Sequence, residues 1–124
     1  MTPRTPPQHP PLRARVMAIV RSIPPGWVAT YGDVAEWAGA PGAARAVGHV
    51  MATSSSKDAP CHRVVAAGGQ LGGYGGQEAM KRALLLAEGV RVVGRRIRGF
   101  AEVRWPGPAA WRRRTTVPSR RGSR

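Results

Sequence analysis

Cysteine is almost absent from this 124-residue chain, and long apolar segments are missing. The one cysteine, Cys61, excludes an internal disulfide and a cysteine-rich zinc site, so no metal is expected. No apolar run approaches the roughly 18 residues that a transmembrane helix needs, and prolines occupy the N-terminus where a signal peptide would be apolar. We therefore expect a cytoplasmic protein without a membrane partner, in a compartment that keeps its thiol reduced.

Acidic residues are also scarce. Six Asp and Glu stand against twenty Lys and Arg, which gives a formal net charge of +14 at pH 7, and eighteen of the twenty are arginine. Such an excess favours an anionic partner and fast, salt-dependent association, and nucleic acid is the leading candidate. The alternative explanation is a compositional preference for arginine codons together with a charged tail.

The two ends of the chain lack the apolar pattern of a folded segment. Residues 1–10 contain four prolines, and residues 106–124 are rich in Pro, Ser and Arg. Segments of this composition cannot bury enough apolar surface to order themselves, so we expect a disordered N-terminal tail at 1–10 and a basic disordered tail at 106–124. Residues 11–105 are then predicted to form one domain, and the protein is expected to be a monomer.

Apolar periodicity predicts a helix near each end of this domain. The first apolar stripe consists of Leu12, Val16, Ile19, Val20 and Ile23. The second consists of Met80, Ala83, Leu84 and Ala87, and Gly89 is predicted to end that helix. Between them, segment 27–56 predicts two short helices joined by a tight turn, which indicates a helix-turn-helix.

The first helix of this pair is predicted from Tyr31 to Ala38, with Gly39 as its stop. The second is predicted to carry Pro41 in its first turn. Its inward-facing residues would be Val47, Val50 and Met51, and small residues surround Arg45. A face of small side chains fits either close approach to DNA or tight packing on a neighbouring helix, and an arginine in mid-face favours DNA.

Short strands are predicted after the serine run. Residues 62–65 and 68–74 are predicted to pair as a hairpin, with Ala66 to Gly69 forming the turn. Two further strands are predicted around Gly94.

The single thiol lies beside a histidine. A cysteine is a nucleophile only as its thiolate, and an ordinary thiol is mostly neutral at pH 7. A nearby base that is oriented by a third group solves this problem. His62 is adjacent in sequence, and Glu88 is expected to reach it if the last helix packs behind this loop. The alternative is a cysteine that is only a small buried apolar residue.

Five segments resemble, in order, the motifs of the O6-alkylguanine-DNA alkyltransferases, the methylated-DNA–protein-cysteine methyltransferase family. PCHRVV (60–65) resembles the active-site signature, and IPPGWVATYGDVAEWAG (23–39) resembles the family pattern IPxGxxxTYGxLAxxxG. AARAVGHVM (43–51) resembles the recognition helix, GGYGG (72–76) the substrate loop, and KRALLLAEGV (81–90) the closing helix. The resemblance implies a mostly α, winged helix-turn-helix-like single domain with a short β hairpin.

The resemblance also implies how DNA is bound. The recognition helix would enter the minor groove of double-stranded DNA that contains O6-alkylguanine, with Ala44, Ala46 and Gly48 allowing close approach. Arg45 would fill the gap left by an extruded base, and Tyr31 would promote flipping and contact the flipped base. Extrusion is needed because a thiol cannot reach O6 inside the base stack.

By the same resemblance, the flipped guanine would lie between the active-site segment and the glycine loop. Backbone carbonyls of Cys61 and Val64 would accept from its amino group, and the loop with Tyr74 and Gly75 would contact O6. The Cys61 thiolate would attack the alkyl carbon while a relay of Glu88, His62 and water takes the thiol proton. Tyr31 would help neutralise the leaving guanine. No cofactor is required, and the thioether makes the protein a single-turnover reagent.

Two features differ from the full-length enzymes of that family. Only a proline-rich decapeptide precedes the first predicted helix, an arrangement similar to the alkyltransferase-like proteins, which flag O6-alkylguanine for nucleotide excision repair proteins and usually lack the cysteine. Ser54 lies closest to the position where the enzymes commonly carry an Asn that orders the active-site loop. The spacing from Arg45 to Ser54 is one residue shorter than in those enzymes. The alternatives are therefore a single-turnover methyltransferase associated with the nucleoid, a non-catalytic sensor, and an ordinary winged-helix DNA binder.

Overall fold

Residues 11–54, 57–72 and 78–116 are described by the computed structural model, and they fold mainly as helices. The helices are α1 (Leu12–Ser22), α2 (Tyr31–Trp37), α3 (Ala44–Ala52), α4 (Glu78–Ala87), α5 (Phe100–Val103) and α6 (Pro108–Thr116). The strands are β1 (Ala29–Thr30), β2 (Val64–Val65), β3 (Val92–Val93) and β4 (Arg96–Ile97), and short 3-10 turns span Cys61–Arg63 and Ala67–Gly69. The predicted fold class, mostly α with a short hairpin, is confirmed.

Helix α1 buries the stripe that its periodicity predicts. Val16, Val20 and Ile23 are fully buried, and Leu12 and Ile19 are partly buried against the same core. That core also contains Val34 and Ala35 of α2, Val47 and Val50 of α3, and Trp105. The three N-terminal helices therefore share one apolar core, and burial of a large aliphatic side chain contributes about 1.5–3 kcal/mol.

Helix α2 begins at Tyr31 because Thr30 caps it. The Thr30 hydroxyl accepts a hydrogen bond from the backbone N–H of Asp33 at 2.9 Å, and the Asp33 carboxylate accepts one from the backbone N–H of Thr30 at 3.1 Å. Such a capping box is worth about 1 kcal/mol. Asp33 also pairs with Arg104 at 2.7 Å. The cap places Tyr31 on the first turn of the helix, where its side chain is buried.

The turn between α2 and α3 differs from the prediction in one respect. Gly39 has a φ of +82° and ends α2 as predicted, but Gly42 also has a positive φ, +86°. A right-handed helix cannot include that conformation. Pro41 therefore lies in the turn, and α3 begins at Ala44. The two helices pack against each other as a helix-turn-helix.

The predicted hairpin between residues 62–65 and 68–74 is wrong. Strand β2 pairs instead with β1 in parallel, with Ala29 opposite Val64 and Thr30 opposite Val65. Gln70 forms an antiparallel bridge with Arg96, away from β2. The turn itself is present, since the backbone N–H of Ala66 donates to the Gln70 carbonyl at 2.8 Å. The parallel pairing carries Cys61 to the N-terminal end of α2.

The hairpin around Gly94 is confirmed, with Val92 opposite Ile97 in an antiparallel pair. It packs on a second core that contains Val65, Leu71 and Leu85. Helix α4 and its end at Gly89, which has a φ of +87°, are also as predicted.

The buried face of α4 is not the predicted one. Leu85 is fully buried and Met80 is 55% exposed. Because α4 packs against the 3-10 turn that begins at Cys61, the side that faces inward carries Lys81, Leu85 and, one residue after the helix, Glu88. The predicted stripe assumed that the inward face is apolar, whereas the inward face of α4 is partly polar.

The C-terminal segment is more ordered than its composition predicts. Residues 108–116 form α6, and the ring of Trp111 meets that of Trp27 edge to face at 5.2 Å. The Arg114 guanidinium lies 5.3 Å from each of these two rings. These contacts hold α6 against the domain, so residues 108–116 are ordered, whereas the composition predicted a disordered tail over 106–124. The predicted tail at 1–10 and residues 117–124 lie outside the described residues.

None of the helices in the described part of the chain is long and apolar enough to cross a membrane.

Candidate active site and DNA-binding face

Cys61 opens the 3-10 turn that leads directly into β2. Ala59, two residues earlier, is buried in the core, and its carbonyl accepts a hydrogen bond from the backbone N–H of Cys61 at 2.7 Å. Cys61 itself is half-buried. The turn is held from both sides, by the core before the cysteine and by the β1–β2 pairing after it. Val64, fully buried in β2, belongs to this support.

His62 and Glu88 lie together, as predicted. The His62 Nε2 atom is 2.9 Å from Glu88 Oε2, and the two side chains are only 9% and 17% exposed. If Nε2 carries the proton and donates to the carboxylate, Nδ1 is left as an acceptor. His62 Nδ1 is buried and has no hydrogen-bond partner among the residues described.

Arg63 completes this group, a role that the sequence analysis missed. Its Nε and Nη2 atoms donate to the two oxygens of Glu88, at 3.0 and 2.6 Å, and Nη1 donates to the Ile23 carbonyl at 2.8 Å. Burial alone would raise the pKa of Glu88, but the hydrogen bonds from Arg63 and His62 outweigh it and hold that pKa below its ordinary value. Glu88 is therefore an anion that orients His62.

Charges of both signs act on the thiol. Burial raises the pKa of Cys61, and the Asp58 carboxylate raises it further, whereas Lys81 and Arg13 act in the opposite direction. The net pKa is above the ordinary value, so the thiol of the free protein is neutral at pH 7.

Lys81 is the second residue that the sequence analysis missed. Its Nζ is 3.5 Å from the Tyr31 hydroxyl and 5.7 Å from the centre of that ring. Burial lowers the pKa of Lys81 to about 8. The signal that would have found it is its place seven residues before Glu88, which puts both side chains on one helix face.

Tyr31 also borders the start of the glycine loop. A Cβ added to Gly72, whose φ is +84°, would lie 3.0 Å from the Tyr31 hydroxyl. Gly72 therefore lets the chain pass close to the phenol. Tyr74 and Gly75, the other predicted substrate-binding residues, lie outside the described residues.

Helix α3 divides the predicted DNA-binding residues between its two sides. Arg45 and Ala46 are exposed, Ala44 is half-buried, and Gly48 is buried. The position of Gly48 agrees with the helix-packing alternative. Arg45 and Ala46 lie on the outer surface of α3, and the protein that carries them has a large positive net charge.

Within residues 11–54, 57–72 and 78–116, no three His, Cys, Asp or Glu side chains are grouped as metal ligands. The described site is thus built from a thiol, an imidazole, a carboxylate, a phenol and two cations.

Comparison with known proteins identifies the family to which this combination belongs. The family model described as "6-O-methylguanine DNA methyltransferase, DNA binding domain" matches residues 11–90. The chain is therefore a member of the 6-O-methylguanine DNA methyltransferase family, a family of DNA repair alkyltransferases, and the resemblance inferred from its motifs is confirmed.

Curated relatives of more than one kind match. The methylated-DNA–protein-cysteine methyltransferase of Mycobacterium tuberculosis H37Rv is 49% identical over 77 residues, which cover 60% of this chain and 46% of that protein. The DNA base-flipping protein of Escherichia coli K12 is 45% identical over 92 residues, which cover 73% of this chain and 71% of that protein. The match thus spans less than half the length of the mycobacterial relatives.

Solved structures with bound DNA also match this chain. Schizosaccharomyces pombe Atl1, in complex with damaged DNA containing O6-carboxymethylguanine, has a TM-score of 0.70 and 30% identity. That match covers 76% of this chain and 94% of Atl1. Mycobacterium tuberculosis OGT in complex with DNA has a TM-score of 0.59 and 43% identity, and the match covers 66% of this chain and 51% of OGT.

Proposed function

We propose that this protein binds O6-alkylguanine in double-stranded DNA by base flipping and transfers the alkyl group irreversibly to Cys61. The observation that carries the proposal is the pairing of His62 with an ionised Glu88, one residue after the only cysteine, in a chain of this family. A cysteine that served only as a small apolar residue would have no use for a buried, oriented base beside it.

DNA binding is assigned to α3. Arg45 and Ala46 are exposed on a helix whose neighbouring positions are small, so the helix can lie against a narrow minor groove without a steric clash. The net charge of +14 supplies attraction to phosphate and a strong salt dependence. Arg45 would occupy the space of the extruded base.

Proton removal is assigned to His62. Its Nε2–H donates to Glu88, so its buried Nδ1 is the acceptor that can take the thiol proton, through one water molecule as bridge. Arg63 keeps Glu88 ionised and thus stabilises the imidazolium that forms.

Transfer then forms one bond and breaks one bond. The Cys61 sulfur bonds to the alkyl carbon, the bond from that carbon to guanine O6 breaks, and its electron pair stays on guanine. Tyr31 is proposed to donate its hydroxyl proton to the leaving base, and the Lys81 ammonium, 3.5 Å from that hydroxyl, would stabilise the resulting phenolate. Water does not cleave the thioether, so each molecule reacts once.

The alternative function is a non-catalytic sensor that flags O6-alkylguanine for nucleotide excision repair proteins. The raised pKa of Cys61 favours it, because a neutral thiol is a poor nucleophile. The similarity to Atl1, which was solved with damaged DNA, favours it as well.

Mass spectrometry separates the two functions. The protein is incubated with a duplex that contains one O6-methylguanine, digested with trypsin, and the peptide DAPCHR (58–63) is weighed. The enzyme predicts a gain of one methyl group on Cys61, which is absent in Cys61→Ala and with an undamaged duplex. Tight, lesion-dependent binding without that gain would establish the sensor, and equal affinity for both duplexes would refute both functions.

A further inference from the structure

The segment that joins α3 to Cys61 is held by α1. The Arg13 Nη1 atom donates to the Thr53 hydroxyl at 3.0 Å, and Nη2 donates to the Ser54 hydroxyl at 2.9 Å and to the Thr53 carbonyl at 3.3 Å. Eight residues further along α1, Arg21 Nε donates to the Asp58 carbonyl at 3.0 Å. Two arginines of one helix thus contact the segment near its start and near its end.

The contacts of Arg13 continue into the recognition helix. The Thr53 hydroxyl donates to the His49 carbonyl at 3.0 Å, and the Ser54 hydroxyl donates to the Val50 carbonyl at 2.7 Å. These carbonyls belong to the last turn of α3, where each also accepts a hydrogen bond from the backbone N–H of Thr53, at 3.1 and 3.3 Å. A guanidinium at a helix C-terminus is also favoured by the helix dipole.

We propose that Arg13 and Arg21 form an arginine clamp that holds residues 53–54 and Asp58 against α1 and so positions the Cys61 thiol beside His62. The Ser54 hydroxyl gives its single proton to the Val50 carbonyl and accepts a hydrogen bond from Arg13, so Ser54 links the end of α3 to α1. The inference rests on the proposed role of Cys61 as a functional thiol.

The clamp also has an electrostatic consequence. The charged groups that act on the thiol are Asp58 from the same segment, Lys81 from α4 and Arg13 from α1, with His62 adjacent to it. Arg13 and Lys81 lower the pKa of Cys61, against burial and Asp58. The same guanidinium therefore orders the segment and favours the thiolate.

Alkylation by iodoacetamide tests the clamp without DNA. The rate is measured from pH 6 to pH 10 on the full chain for the natural protein, Arg13→Ala, Arg13→Lys and Arg21→Ala. The control is Arg98→Ala, which removes an equal charge from an exposed position after β4. Arg13→Ala should slow alkylation about two- to fivefold at pH 7 and move the pH midpoint upward, because a tenfold change corresponds to one pKa unit and an exposed charge is partly screened.

Hydrogen–deuterium exchange of residues 52–60 separates order from charge. Arg13→Lys keeps the charge but not the forked hydrogen bonds, so its pH midpoint should return toward that of the natural protein while exchange stays faster. Arg21→Ala should speed exchange around Asp58. Urea unfolding shows that each variant is folded. If Arg13→Ala changes neither the pH midpoint of alkylation nor the rate of exchange, the clamp is overturned. A sensor without alkyl transfer would still show the shift, so failure of the proposed function is a separate result.

Discussion

Replacing Glu88 by Gln tests the group on which the proposed chemistry depends. The carboxylate accepts hydrogen bonds from Arg63 Nε, Arg63 Nη2 and His62 Nε2, at 3.0, 2.6 and 2.9 Å. An amide of the same shape has one oxygen acceptor and no charge. It cannot satisfy both donors of Arg63 and also accept from His62.

The size of the effect follows from burial and the number of partners. A hydrogen bond to a charged group contributes about 1.5–3 kcal/mol, an exposed ion pair at most about 1 kcal/mol, and a broken buried pair costs about 3–5 kcal/mol. Glu88 is 17% exposed, between these limits. We expect Glu88→Gln to lower the free energy of unfolding by about 2–3 kcal/mol at pH 7, or Tm by roughly 10–20 °C in a domain of this size.

The pH dependence supplies a sharper test. Because the pKa of folded Glu88 lies below its ordinary value of 4.5, the unfolded chain takes up a proton first as the pH falls. The stabilisation is therefore complete above about pH 5.5 and is lost as the pH falls through the folded pKa. Urea unfolding of both proteins at pH 7 and pH 3.5, with the exposed Glu102→Gln as control, should show a difference that shrinks in acid. Equal stability at pH 7, or a difference undiminished in acid, would refute this account.

Three further predictions concern the positive charges. Lys81→Met should raise the pKa of Cys61 and slow its alkylation by iodoacetamide at pH 7. Because the pKa of Lys81 in the folded protein is about 8, the natural protein should gain stability between pH 8 and 10.5, and Lys81→Met should abolish that gain. An unchanged dependence of stability on pH would argue against the placement of Lys81. Arg45→Ala should reduce the preference for a lesion duplex, measured by fluorescence anisotropy, and an unchanged preference would contradict its role in base extrusion. Replacing Arg112 and Arg113 by Gln should reduce the slope of log K against log salt by about 1 for each DNA phosphate that these side chains neutralise; an unchanged slope would remove α6 from the DNA surface.

Local patterns predicted most of the helices and the hairpin of β3 and β4, but not the parallel pairing of β1 with β2. The stripe of α1 is a repeated local signal, and Gly89 marks a stop that needs no knowledge of the rest of the chain. The pairing of Ala29 with Val64 joins residues 35 positions apart through strands of two residues, which are too short to show alternation. The order of residues 108–116 depends on Trp111 meeting Trp27, a contact between distant segments.

The residues of the candidate site could be predicted only where they belong to a recognisable sequence motif. Cys61 and His62 are adjacent in sequence, Glu88 was expected to reach them if the last helix packed behind the loop, and the family resemblance assigned all three to one relay. Arg63 and Lys81 went unnoticed because composition treats an arginine or a lysine as part of a general positive charge. Only packing shows that these two cations are drawn inward, one onto a carboxylate and the other onto a phenol.

The opposing charges around Cys61 bear on the choice between enzyme and sensor. A reagent that reacts once gains from a thiol that stays neutral until substrate arrives, since a permanent thiolate would be consumed by unrelated electrophiles. Burial and Asp58 keep the thiol neutral, while Lys81 and Arg13 limit the cost of ionising it. A sensor does not need groups that keep the thiol neutral or groups that ease its ionisation. It also does not need the pairing of His62 with a carboxylate held by Arg63. The raised pKa of Cys61, taken alone, favours the sensor, so the feature that favours the proposed transfer is the pairing of His62 with a carboxylate that Arg63 holds.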